Sequence, residues 1–352
     1  MKADILIVDD EDDIRDIVSG ILEDEGHETR IIAPPGNRPE AANVIPLGQV
    51  RDITVHGTHF ELTRARKDEI APVVRELHQW GADIAHLHTP WTPLLPWQAW
   101  RALGLPSVAT FHATLPEGGF DPLAWALGKV GNYFNARLSK LIVPSRAPLE
   151  QWRRRGADPL PTILPPTINL ADWRAARRDT PLRETAPQIV YMGRLEERKG
   201  VQVLLEAWPA ISAALPKATL TIAGSGALEP ALRARAATLS SVTFLPPPDN
   251  TAARALIAGA DVFVAPALGG ESFGLVLIEA MAAGTVPVAA RNAGYASVLE
   301  DQGETLLVPP GDATALAKKV IALTSNPSEH ERLRVWSIAR AAATSPSRRL
   351  RS

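Results

Sequence analysis

Short apolar runs alternate with longer amphipathic stretches along the whole chain, and this alternation restricts the fold more than any other feature. In the first half the runs are Asp4–Val8, Thr29–Ala33, Ile84–Leu87, Ser107–Phe111 and Lys140–Val143. The second half repeats the pattern with Gln188–Met192, Ala218–Ala223, Val242–Leu245, Asp261–Ala265, Val286–Ala289 and Thr305–Val308. Most are followed by a helical pattern, as in Val201–Ala214 or Ala313–Leu323. Near-continuous apolar strands that alternate with helices predict an α/β protein with parallel sheets covered on both faces. At 352 residues the chain has the length of two domains. Prolines and charges crowd residues 166–187, next to Pro165-Pro166, so this segment reads as a linker. It separates an N-terminal Rossmann-like domain, 1–165, from a C-terminal one, 188–343, with a frayed Ser/Arg-rich tail at 344–352. Two doubly wound domains facing each other across a cleft are the expected architecture.

Composition removes several function classes. Without cysteine the chain has no disulfide, thiol nucleophile or thiolate metal site. A formal charge of −2 gives no bulk attraction for nucleic acid. The longest early apolar run, Ile5–Val8, is too short for a signal-peptide core or a membrane span, so a cytoplasmic protein is expected. The charge is uneven, however. Residues 1–30 hold three basic and eleven acidic side chains, net −8, against +6 for the rest. Asp9, Asp10, Glu11, Asp12 and Asp13 follow directly on the first strand, at the end where α/β sheets place ligands.

Three stretches of the second half carry candidate chemistry. Gly193-Arg194 ends one strand and Lys199-Gly200 opens the next helix, so two cations meet a helix N-terminus where an anion would be welcome. The competing reading is a solvated charged turn over residues 194–199. Gly224-Ser225-Gly226 occupies a second strand-to-helix loop, where glycines admit a close backbone approach, to a ligand or simply to a turn. Most specific is Gly-Gly-Glu271-Ser272-Phe273-Gly274-Leu275-Val-Leu-Ile-Glu279-Ala-Met-Ala-Ala-Gly-Thr. On one ideal helix its two glutamates would be about 12 Å apart along the axis. That exceeds the roughly 5–9.5 Å of a glycosidase carboxylate pair, so the two suit contacts to separate parts of one extended ligand. In the first half His86 and His88 end one strand and His112 follows another, positions fit for polar contacts or proton transfer.

With these motifs in place, the chain resembles the retaining family 4 glycosyltransferases of the GT-B fold, in their phosphatidylinositol mannosyltransferase-like branch. The resemblance runs from about Gly26 to about Leu333 and is strongest over 188–312. It implies transfer of a hexose from a GDP- or UDP-linked donor to a lipid or saccharide acceptor, with no cofactor required for the chemistry. Arg194 and Lys199 would neutralise the departing diphosphate. Glu279 would hold the ribose and Glu271 the sugar, helped by the amides of Phe273, Gly274 and Leu275. Gly193, Gly224, Gly226 and Ser272 would complete the donor site, and His112 would be the histidine near the sugar. The leaving phosphate itself would act as base.

Residues 1–30 depart from that pattern. They resemble the opening of a response-regulator receiver domain of the nitrogen-regulation type, in which the pair matching Asp9 and Asp10 binds Mg²⁺. No matching phosphoacceptor strand follows, which argues against a phosphorelay regulator. Five acids near a diphosphate would repel it unless a cation bridged them. Impaired transfer, nucleotide binding without turnover, or a Mg²⁺ requirement at Asp9 and Asp10 are the resulting expectations. Between Leu115 and Lys140, aromatic and basic residues interleave. This segment is either an amphipathic membrane-surface contact at the inner face of the membrane or a helix packed into the N-terminal core.

Overall fold

Every apolar run named above forms a strand in the computed structural model, which describes all residues except 1, 9–17, 21, 36–41, 56–57, 89–94, 113–121, 167–169, 178–181, 184–185 and 345–352. The chain divides into two compact units, Met1–Leu164 and Pro165–Ser352. The first contains β1 (Asp4–Val8), β2 (Glu28–Ala33), β3 (Val44–Pro46), β4 (Gln49–Val55), β5 (Thr58–Arg64), β6 (Ile84–His88), β7 (Ser107–Thr110), β8 (Lys140–Val143) and β9 (Thr162–Ile163). The second contains β10 (Gln188–Met192), β11 (Thr219–Ala223), β12 (Val242–Leu245), β13 (Val262–Ala265), β14 (Val286–Ala290) and β15 (Leu307–Val308).

The sheet of the first unit runs β3-β2-β1-β6-β7-β8-β9, and each of its pairings is parallel. In the second unit the order is β12-β11-β10-β13-β14-β15, again all parallel. Strand order therefore reverses beside β1 in one unit and beside β10 in the other, and these switch points are where doubly wound sheets bind ligands. Burial explains the sequence pattern. All of Val262–Ala265 and Val286–Ala290 are buried, because helices cover both faces of the sheet. Asp249, Asn292 and Asp312 start the helices that follow by accepting the backbone N–H of Ala252, Tyr295 and Ala315.

Three features differ from the sequence expectation. The antiparallel hairpin β4–β5 stands outside the main sheet, and β3 and β9 extend its edges. The segment 166–187 is more than a linker. It holds the helix Leu170–Ala175, whose Leu170 and Trp173 are buried in the second unit's core. Within it, Arg183 also pairs with buried Asp261 at 2.8 Å. Proline density marked a strap along this unit, not a spacer. Finally, the helix Pro327–Thr344 packs His330, Leu333, Ser337 and Ala341 inward, and His330 Nε2 lies 2.8 Å from the Asp261 carbonyl.

One glycine fixes how the loops at the β10 switch point meet. Gly200 is left-handed (φ 72°), and a Cβ there would lie 2.0 Å from the Pro266 carbonyl oxygen. Gly311 shares the φ region (78°), but its nearest contact to a Cβ would be an ordinary 3.9 Å. Gly311→Ala is expected to cost about 1 kcal/mol and Gly200→Ala at least about 2 kcal/mol more. Urea denaturation of both variants checks the difference.

Candidate functional site

In the second unit a cavity of about 210 Å³ opens at the switch point. It is lined by Tyr191, Met192 and Gly193 at the end of β10, by Lys199, by Phe263–Ala265 of β13, and by Val276 and Tyr295. Two loops frame it. The one after β10 runs from Gly193 through the 3-10 turn Glu197–Lys199, and the one after β13 leads to the helix Leu275–Ala282. The Leu268 N–H donates to the Arg198 carbonyl at 2.8 Å and holds the two loops together.

Along these loops five charges alternate in sign. Arg194 Nη1 lies 3.4 Å from Glu196 Oε1, and Glu196 Oε2 lies 3.2 Å from Arg198 Nε. Arg198 Nη1 then reaches Glu271 Oε1 at 3.2 Å, and Lys199 Nζ donates to the same oxygen at 2.7 Å. Glu196 is buried, so this is not the solvated charged turn that the sequence also allowed. Arg194 is the outermost member, its side chain 56% exposed, while its carbonyl accepts the Tyr191 hydroxyl at 2.7 Å. Burial lowers the Lys199 pKa, and Glu271 opposes that by stabilising the cation.

Glu271 and Glu279 do not share a helix. Glu271 precedes it, and Glu279 stands in its second turn, three residues after the cavity-lining Val276 and so on the same face. Among the described residues the Glu279 carboxylate has no hydrogen-bond or ion-pair partner, and burial pushes its pKa up to about 7. Phe273 is a core side chain, whereas Leu275 is exposed. The amides of Phe273, Gly274 and Leu275 precede the first turn-closing bond, from the Leu277 N–H to the Gly274 carbonyl. Gly274 is left-handed (φ 108°), and a Cβ would strike the Tyr295 ring at 2.7 Å. The other glycines have partners of their own. A Cβ on Gly224 would lie 2.0 Å from the Gly193 carbonyl oxygen, and one on Gly226 would lie 2.6 Å from that of Leu195. Bonds from the Gly193 N–H to Ala223 and from the Leu195 N–H to Ser225 join the same loops. Gly224 and Gly226 thus seat the Arg194 loop against its neighbour.

In the first unit the three histidines come together at the ends of β6 and β7. His88 Nδ1 lies 2.8 Å from His112 Nε2, with the rings only 21° from parallel. His86 Nε2 lies 2.8 Å from Thr110 Oγ1. Burial pushes the His88 pKa down to about 4, and burial, with His88 and His112 beside it, holds that of His86 well below its ordinary value. Both imidazoles are neutral at pH 7. Between their ordinary value of 6.5 and about 4 the unfolded chain binds protons that the folded chain refuses. Stability is therefore full above 6.5 and falls as pH drops towards 4, by at most about 3 kcal/mol for His88. Urea titrations at pH 7 and 4.5 are expected to show that slope, and His88→Asn to reduce it, the remainder belonging to His86.

The expected metal residues Asp9 and Asp10, and the whole receiver-like loop to Asp13, lie outside the described residues. Among the described residues no set of three or more His, Asp or Glu side chains converges on a metal position. Within the segment 115–140, Phe134 is fully buried against Trp97 and Trp100, which is core packing. Its neighbour Tyr133 is exposed beneath the Arg137 guanidinium. No helix among the described residues is long and apolar enough to cross a membrane. The sequence leaves Arg198 and Glu196 as part of a charged turn, and nothing in it singles out Tyr191 or Tyr295 as lining the cavity. Arg198 meets Glu271 across two loops more than 70 residues apart in sequence, and no local spacing reports that contact.

Comparison with known proteins gives a consistent outcome. Residues 18–172 match the model described as Glycosyltransferase Family 4, and residues 186–326 match Glycosyl transferases group 1. A phosphatidyl-myo-inositol mannosyltransferase of Mycolicibacterium smegmatis is 32% identical over 333 residues, 91% of this chain and 81% of that one. Its namesake from Mycobacterium leprae is 31% identical over 322 residues, 89% and 83% of the two chains. Among solved structures, Anabaena HepE in complex with UDP and glucose superposes with a TM-score of 0.73 at 17% identity, covering 97% of this chain and 95% of that one. At that identity the likeness bears on the fold alone.

Proposed function

Because the chain belongs to the family 4 glycosyltransferases, we propose that it moves a hexose from a GDP- or UDP-linked donor to a lipid or saccharide acceptor, with retention at the anomeric carbon. The observation that carries this reading is the convergence of Lys199, Arg198 and Glu271 with the helix bearing Glu279 around the β10 switch-point cavity. Cations there meet the diphosphate, while two separated carboxylates meet hydroxyls of the ribose and the sugar. The relatives named as mannosyltransferases favour mannose and a lipid acceptor.

In the reaction the bond between the anomeric carbon and the phosphate oxygen breaks as negative charge gathers on the diphosphate. Lys199 and Arg194 stabilise that charge, an interaction stronger in the transition state than in the bound donor. The acceptor hydroxyl bonds to the same face of the anomeric carbon and gives its proton to the departing phosphate oxygen. No protein nucleophile is required. His112, held by His88, supplies a polar contact to the sugar. A lipid acceptor would bring the first unit to a membrane surface, and exposed Tyr133 with Arg137 is an aromatic–cationic pair suited to headgroups.

Calorimetric titration with UDP and GDP, with and without Mg²⁺, tests the reading. Micromolar binding of one nucleotide without metal supports it and directs the choice of sugars. Binding that needs Mg²⁺ brings in the acidic loop Asp9–Asp13, to be tested by a Gly-Gly replacement. Absence of binding under both conditions overturns the donor site.

A further inference from the structure

Lys199 and Arg198 both lie on a single oxygen of Glu271, at 2.7 and 3.2 Å, and all three side chains are at most one-fifth exposed. The functional reading above gives these groups two tasks. The cations are to hold a diphosphate, and the carboxylate is to accept sugar hydroxyls. While Oε1 is engaged by both cations only Oε2 is open to a sugar hydroxyl, and Lys199 cannot give its full charge to a phosphate while Glu271 sits on it.

Backbone freedom does not relieve the conflict. Gly294 packs so closely on Glu271 that a Cβ there would lie 2.2 Å from the Glu271 carbonyl oxygen. Gly200 is pressed on Pro266, and the Leu268 N–H is bonded to the Arg198 carbonyl. With both loop backbones pinned, side-chain rotation is left to resolve the competition, and Glu271 has the shortest side chain of the three to turn.

Resting on the donor-site reading, we propose that Glu271 is a built-in competitor for the anionic part of the donor: the diphosphate displaces its carboxylate from Lys199 and Arg198, and the displaced carboxylate turns to the sugar. Two partners that each need this carboxylate moved are thereby coupled. Sugar recognition follows phosphate binding, and a free hexose finds one of the two acceptor oxygens engaged. Glu271 is then a specificity residue for sugar diphosphate esters over either half alone. Burial of Lys199 reinforces the exchange, since the ammonium needs one counter-charge at all times.

The test is calorimetry of wild type, Glu271→Gln and Glu271→Asp with inorganic pyrophosphate, UDP, GDP and the corresponding sugar nucleotides, after thermal melts establish folding. Removing the competing charge is expected to tighten nucleoside diphosphate and pyrophosphate binding by roughly three- to thirtyfold in Glu271→Gln. The same variant loses the preference for sugar nucleotide over plain nucleotide. Glu271→Asp draws the charge back by one methylene and is expected to tighten binding less, so it serves if the glutamine variant does not fold. Binding of pyrophosphate and nucleotide that is unchanged or weaker in the folded variants overturns the exchange and leaves the donor site intact. Failure of wild type and both variants to bind any of these anions overturns the donor-site reading, and the exchange with it.

Discussion

Lys199→Ala is expected to lower kcat/KM for sugar transfer by about a hundred- to a thousandfold, the loss typical of removing one preorganised stabiliser of developing charge. Lys199 is the cation closest to Glu271 and lines the switch-point cavity. Its buried position makes its charge count for more than an exposed lysine's would. Charge on the diphosphate grows as the glycosidic bond breaks, so kcat falls further than nucleotide affinity does. Steady-state transfer assays paired with nucleotide titration read the two separately. Equal losses in both would assign Lys199 to binding alone. Arg194→Ala is expected to cost less, because its half-exposed guanidinium acts through solvent.

Glu279→Gln is the second large effect, and its two readouts run in opposite directions. Burial raises the Glu279 pKa from its ordinary 4.5 to about 7, so folding favours the neutral acid. That contribution is fully present below 4.5 and is lost as pH rises through about 7. At pH 8 the second unit therefore carries a cost of at most about 3 kcal/mol for the ionised carboxylate. The glutamine variant is expected to be more stable than wild type by about 1–3 kcal/mol at pH 8, and no more stable at pH 4. Donor binding is expected to weaken at least about tenfold, because the carboxamide accepts at one atom where the carboxylate accepts at two. Urea denaturation at the two pH values and nucleotide titration at pH 8 check both halves. A variant that gained stability and kept donor affinity would remove Glu279 from the site. Stability sacrificed at a position that function needs is the pattern expected of a binding carboxylate.

The contrast between Glu271 and Glu279 shows how neighbours assign roles to like residues. Both carboxylates belong to one short sequence element and flank the same helix start. Glu271 has two cations on one oxygen, whereas Glu279 has none among the described residues and holds its proton to about pH 7. An eight-residue spacing gave the pair, but the division of labour comes from the loop after β10.

What the sequence determined by itself is the central strands of the two main sheets, their parallel pairing and the chain positions of the candidate site. Ile5–Val8, Val262–Ala265 and Val286–Ala290 are apolar throughout because both faces of each strand are covered, and that pattern is local. The strand-to-helix loops carrying Arg194, Lys199 and Glu271 were legible for the same reason: parallel sheets put their ligand loops at strand C-termini. Hairpin β4–β5 was not legible, since its pairing is independent of the main sheet. Nor was the strap at 166–187, whose Leu170 and Trp173 find the core of one unit through packing that composition does not encode. The histidine contact, with His88 and His112 twenty-four residues apart, and the shared oxygen of Glu271 were likewise decided by the tertiary structure alone. Such contacts depend on the register of adjacent strands and on glycines that let loop backbones touch. Those are distances in space, and a linear pattern of residue types does not specify them.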